Sequence, residues 1–171
     1  PSDDNILTPY DITKGKFANF KYQTDAVQLA FNSIKTHEGV IVSDVVGLGK
    51  SIIASAIARN LRLRTIIICP PHLKEQWEDY KDDFDITATV YTSGKLEDAL
   101  EHYNNIVRKD EKFLIIVDEA HRYKNEFTRD YSFLHELCMG NKVVLLTATP
   151  YNNRPEDIYS MIKLFQIPNK S

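Results

Sequence analysis

The chain has 171 residues, 43% of them apolar and 26% charged, with a formal net charge of -3. That length supports one sizeable core, and that balance excludes a disordered or collagen-like chain. The slight acidity argues against a domain wrapped in nucleic acid on every side but leaves room for a local basic strip, since recognition depends on where the lysines and arginines sit. The longest apolar runs, IIIC, FLIIV and VVLL, are far too short to span a bilayer, so no membrane partner is expected. The opening PSDDNILTPYD lacks the charged-then-apolar pattern of a signal peptide. A cytoplasmic location is expected, nucleoid-associated if the source is bacterial.

In chain order, the prolines and acids of the first residues read as a flexible lead-in, and residues 1–16 are set apart from a domain over 17–171. Ala26, Val27, Leu29, Ala30, Phe31 and Ile34 recur at helical spacing and predict a helix from Tyr22 to about Lys35. GVIVS (39–43) is a short β-branched run, and SIIASAIARNL (51–61) carries helix-forming alanines. RTIIIC (64–69) is a second strand, followed by a helix opened by Pro71 and running through Trp77 to about Asp82. ITATVYT (86–92) alternates like a strand, and KLEDALEHYNNIVRK (95–109) is helical. KFLIIV (112–117) is wholly apolar, as a strand covered on both faces should be. A helix near 130–139, the strand KVVLLT (142–147) and the helix PEDIYSMIKLF (155–165) complete the alternation.

Strands of about five residues alternating with helices of ten or more predict an α/β fold, a parallel sheet with helices on both faces. Ligands of such sheets bind beyond the carboxyl ends of the strands. Chemistry-bearing residues follow four strand runs at once: DVVGLGKS after GVIVS, PPH after RTIIIC, DEAH after KFLIIV and TATP after KVVLL.

DVVGLGKS departs from the phosphate-loop pattern G-x-x-x-x-G-K-[ST] because Asp44 stands at the first glycine. Gly47 and Gly49 still allow the turn that points successive backbone N–H groups, from Val46 and Leu48 onward, at phosphate oxygens. The helix beginning near Lys50 adds its positive end, Lys50 is placed to neutralise β and γ oxygens, and the Ser51 hydroxyl to ligate Mg²⁺. DEAH (118–121) ends a buried strand in two acids, whose burial without a cation would be costly. Mg²⁺ on ATP supplies that cation, with Asp118 holding the metal directly or through water and Glu119 activating the attacking water. CPPH (Cys69, His72) and HELC (His135, Cys138) each offer two zinc-type ligands, but neither lies in a knuckle-like turn, and buried thiols are the simpler reading.

With KYQ (21–23), DVVGLGKS (44–51), IIICPPHLKEQW (66–77), VYTSGK (90–95), DEAHRYKN (118–125) and LTATPYNN (146–153) in this order, the chain resembles the first RecA-like lobe of a superfamily 2 helicase, closest to the Swi/Snf-like DNA-dependent ATPases. The resemblance implies a RecA-like P-loop three-layer αβα sandwich with a mainly parallel sheet. It implies that Gln23 reads the adenine edge, with Phe17 or Phe20 stacking on the base. His121, Thr147 and Thr149 would link the γ-phosphate site to movement between lobes. Pro71, His72, Thr92, Ser93 and Gly94 would face the nucleic-acid backbone, double-stranded DNA being the expected track. Arg122 and Lys124 belong to that surface, to the interface with a second RecA-like lobe, or to a plain solvated face.

The chain departs from the family pattern at Val45, Val46 and Ala148, which leaves a helicase subunit of a restriction or repair system open. It stops at IPNKS without a second lobe, and is expected to be a piece of a longer motor. A nucleotide-gated scaffold without robust ATPase activity is the alternative. A small-molecule P-loop kinase leaves DEAHRYKN and LTATPYNN without a use.

Overall fold

The computed structural model describes residues 6–43, 49–148 and 154–166. β-Branched runs form five parallel strands: β1 (Gly39–Ser43), β2 (Thr65–Cys69), β3 (Ala88–Thr92), β4 (Leu114–Val117) and β5 (Lys142–Thr147). The helices are α1 (Pro9–Thr13), α2 (Lys21–His37), α3 (Lys50–Leu61), α4 (Lys74–Asp83), α5 (Leu96–Ile106), α6 (Arg129–Cys138) and α7 (Pro155–Ile162). The sheet order is β1-β5-β4-β2-β3, and every pairing is parallel.

Strand side chains alternate between two cores. Ile67, Cys69, Leu114, Ile116, Val144 and Leu146 pack with α2, α3 and α4, while Ile66, Ile68, Ile115, Val117, Val143 and Leu145 pack with α5, α6 and α7. The expected three layers therefore form. Both faces of β2 and β4 are covered, which is why IIIC and FLIIV carry no polar alternation. Among the described residues no helix is long and apolar enough to cross a membrane.

Three elements differ from the sequence reading. The helix expected over 95–109 ends at Ile106, where Val107 turns to extended backbone. The one expected over 155–165 ends at Ile162 and continues as a turn. The larger correction concerns the lead-in. Thr8 caps α1 by accepting from the Asp11 N–H, and Pro9 sits at the first helical position, where its missing N–H is harmless. Ile6 and Ile12 join the α2–α4 core. Asn60 of α3 accepts from the Leu7 N–H at 2.7 Å and donates to the Leu7 carbonyl at 2.9 Å. Residues 6–16 thus belong to the folded body, and the acid and proline content that suggests flexibility is capping chemistry.

At the amino edge, Arg64 binds Glu111 through two hydrogen bonds of 2.9 and 2.7 Å, donates to the Ile106 carbonyl and lies over the Phe113 ring. The guanidinium holds the Glu111 carboxyl down at about 2. A depressed folded value means that its contribution is present above the ordinary carboxyl range and lost as pH falls through about 2. Glu111→Gln is expected to lower the melting temperature at neutral pH, and the gap from wild type should close as pH falls toward 2. A gap that persists unchanged at low pH would contradict this role.

Candidate functional site

The parallel register lines up the carboxyl ends of the strands. Ser43 pairs with Thr147, Leu145 with Val117, Val117 with Ile68, and Cys69 with Thr92. Because β5 lies between β1 and β4, Thr147 ends between the segment after β1 and the acids after β4. The Ser43 hydroxyl donates to the Ala148 carbonyl at 3.2 Å, tying the two strand ends together.

On the β1 side, α3 starts at Lys50 behind Gly49, whose φ of 92° is in the left-handed region that suits glycine. Gly49 offers no side-chain cap, and the first turn carries no acid. Among the described residues no side chain caps its N–H groups, as none caps α2, α4 or α5, and the positive end of a twelve-residue helix faces the edge. Lys50 and Ser51 are half-buried in this first turn. Gln23, buried in the first turn of α2, lays its amide against Gly49 so closely that a Cβ there would overlap it. Val46, Gly47, Leu48 and Thr149 lie outside the described residues, as does Asp44.

On the β4 side, Asp118 is only 4% exposed. Its Oδ2 accepts from Trp77 Nε1 at 2.9 Å, and its Oδ1 from the Glu119 N–H at 2.8 Å. Among the described residues no lysine, arginine or histidine pairs with it. A buried carboxylate with donors on both oxygens but no countercharge suits a hard cation, which takes oxygen ligands. Glu119 has φ 51° and ψ 50°, a left-handed conformation uncommon for a non-glycine residue and typical of functional sites. The chain then tightens into a 3₁₀ turn over Ala120–Tyr123, which brings His121 Nδ1 to 3.4 Å from Thr147 Oγ1.

A model of the SNF2-related domain matches residues 78–169, more than half of the chain. The chain belongs to the SNF2-related family. It is 29% identical to the zebrafish (Danio rerio) chromodomain-helicase-DNA-binding protein 1-like, covering 96% of this chain and 19% of that protein. It is 30% identical to the uncharacterized ATP-dependent helicase YqhH of Bacillus subtilis over 77% of this chain and 27% of that protein. The SWI2/SNF2 ATPase core of Sulfolobus solfataricus, solved with double-stranded DNA, superposes with a TM-score of 0.74 at 23% identity, over 94% of this chain and 38% of that one. That likeness shows the RecA-like α/β fold. The chain spans roughly a fifth to a quarter of these two relatives.

Within this SNF2-related chain, the remaining expected residues divide. Pro71 and His72 are exposed on a 3₁₀ turn after β2; in the neighbouring β3, Thr92 is the last strand residue, and it is followed by buried Ser93 and exposed Gly94. These five share one stretch of the edge. Arg122 is exposed, whereas Lys124 lies 4.0 Å from Asp157 in the first turn of α7. Phe17 is spent on the core, its ring 5.4 Å from that of Phe84 and 5.9 Å from that of Tyr80. Phe20 is 53% exposed beside Tyr22, so it alone of the two presents a ring outward. Both cysteines are buried: burial, reinforced by the nearby charge of Asp118, pushes the Cys69 thiol up to about 12, and burial alone raises that of Cys138. Neither is poised to be the thiolate a metal requires.

Two contacts escape sequence reasoning, the Trp77 bond to Asp118 and the Gln23 amide on Gly49. Gly49→Ala meets both a left-handed backbone, costing about 1–2 kcal/mol, and the Gln23 amide. In urea unfolding, the loss in the double variant Gln23→Ala/Gly49→Ala is expected to be smaller than the sum of the single losses, because truncating Gln23 removes the overlap. Strict additivity would show that the two do not touch.

Proposed function

We propose that this chain is the ATP-binding lobe of a Swi/Snf-like superfamily 2 helicase or translocase, in which Mg²⁺-dependent ATP hydrolysis drives movement on nucleic acid, double-stranded DNA foremost. The observation that carries the reading is the placement of a helix N-terminus that no described side chain caps, and of the buried Asp118 with half-buried Glu119 beside it, on either side of Thr147 at one sheet edge. The names of the relatives, ATP-dependent helicases among them, and the DNA in the similar solved core support it.

In this reading the loop through Val46, Gly47, Leu48 and Gly49 receives the triphosphate with backbone N–H groups, and Lys50 neutralises its β and γ oxygens. Ser51 and Asp118 would hold Mg²⁺, which when bound spreads the charge that develops on the phosphoryl oxygens. Glu119 orients the attacking water and takes its proton. Gln23 reads adenine next to the loop it already touches. The pair His121–Thr147, with Thr149, carries the state of the γ-phosphate site along the edge. Pro71, His72, Thr92, Ser93 and Gly94 hold the nucleic-acid backbone with N–H and hydroxyl donors, without reading sequence. Arg122 and Lys124, both exposed, belong to the same surface. A second RecA-like lobe of the same longer protein supplies arginine fingers, which contribute roughly 10³–10⁵ in rate. The protein works in the cytoplasm.

Titration with ATP and Mg²⁺ is expected to show binding by the chain, weakened at least tenfold by Lys50→Ala. Glu119→Gln should keep that binding but abolish the DNA-stimulated turnover of the longer protein. Binding indifferent to Lys50, or turnover that survives Glu119→Gln unaltered, would overturn the assignment.

A further inference from the structure

The tie between Trp77 and Asp118 is unusual in its economy. Helix α4, KEQWEDYKDD, is strongly polar, and within it Trp77 alone is buried. The indole is fully enclosed and meets the Tyr80 ring edge-on at 5.8 Å. Its Nε1–H can only donate, and a buried donor needs an acceptor. The acceptor is Asp118 Oδ2.

We propose that Trp77 is the positioning residue of the Asp118 carboxylate, holding it in the orientation from which it takes Mg²⁺. The inference rests on the function proposed above. An aspartate rotates broadly about its terminal torsion, so one hydrogen bond leaves its plane loosely set. Here each oxygen has its own donor, the indole on Oδ2 and the Glu119 backbone on Oδ1, and both donors are fixed. The indole cannot shift without lifting α4 from the sheet. The Glu119 N–H is set by the left-handed backbone of that residue.

The chemistry of the donor matters as much as its place. A lysine or arginine at Trp77 would neutralise the carboxylate and compete with the cation. A hydroxyl could rotate and offer its lone pairs instead. The indole N–H orients the carboxylate while leaving its full charge for the metal, which is the work of an outer-shell partner.

The test compares ATP affinity in Mg²⁺ and in EDTA, by calorimetry, for the wild-type chain, Trp77→Phe, Asp118→Asn and the double variant. A positioning role predicts that Trp77→Phe keeps the Mg²⁺-free affinity within about twofold and loses roughly 10–100-fold of the Mg²⁺ enhancement. The double variant should bind no worse than Asp118→Asn alone. Equal weakening with and without Mg²⁺, or an enhancement that survives intact in Trp77→Phe, overturns the proposal.

The chain has a single tryptophan, so one indole N–H resonance reads the same contact in wild-type protein if the variant does not fold. That resonance is expected to move on adding Mg²⁺ with a non-hydrolysable ATP analogue, and to move in Asp118→Asn. An indole indifferent to both overturns the proposal. Wild-type chain that binds no nucleotide overturns the proposed function and this inference together, whereas normal wild-type binding with an indifferent Trp77 overturns this inference alone.

Discussion

With every strand parallel and both faces of the central strands sealed by helices, charge has nowhere to go except the two ends of the sheet. The two ends use that constraint differently. At the amino edge the polar groups satisfy one another. Arg64 chelates Glu111, Lys142 pairs with Glu38 at 3.1 Å, and the Asn141 amide bridges the Phe113 N–H and the Leu137 carbonyl at 2.8 Å each. At the carboxyl edge hydrogen bonds are made but charge is not balanced: Asp118 has a donor on each oxygen yet no cation among the described residues, and no described side chain caps α3. An edge left incomplete in opposite senses, with helix-end positive potential on one side and uncompensated carboxylate on the other, is suited to a ligand that brings phosphate and metal together.

Backbone strain follows the same division. Left-handed Lys14, Glu38, Arg62, Asp85 and Asp110 lie in turns between elements, where such conformations close helices and loops. Glu119 lies inside the site, between the acid it supports and the turn that aims His121 at Thr147. A conformation costing about 1–3 kcal/mol persists there because β4 below it and the turn of Ala120 and Tyr123, both buried in the α5–α7 core, fix the chain on either side.

Much of this was legible in the sequence because apolar runs and the residues that interrupt them are local signals. GVIVS and KVVLLT match β1 and β5 residue for residue, and the four strands that precede those motifs end at one edge. What stayed hidden depends on partners far apart in the chain. Nothing in PSDDNILTPYD tells that Leu7 will meet Asn60, and nothing near Phe17 distinguishes a stacking ring from one packed on Phe84. The sequence places Trp77 on a helix but not on Asp118, because its indole N–H finds an acceptor 41 positions away. The proximity of Lys124 to Asp157 at 4.0 Å is equally hidden, because Asp157 lies on a helix that the motif does not include.

The central claim is that this edge is built around a metal–nucleotide complex, and a crystal structure of the chain with Mn²⁺ and a non-hydrolysable ATP analogue tests it most directly. The account predicts an anomalous Mn²⁺ peak at the Asp118 carboxylate and the Ser51 hydroxyl, with the Trp77 hydrogen bond still in place. Nucleotide bound elsewhere, or Mn²⁺ held away from Asp118, would contradict it.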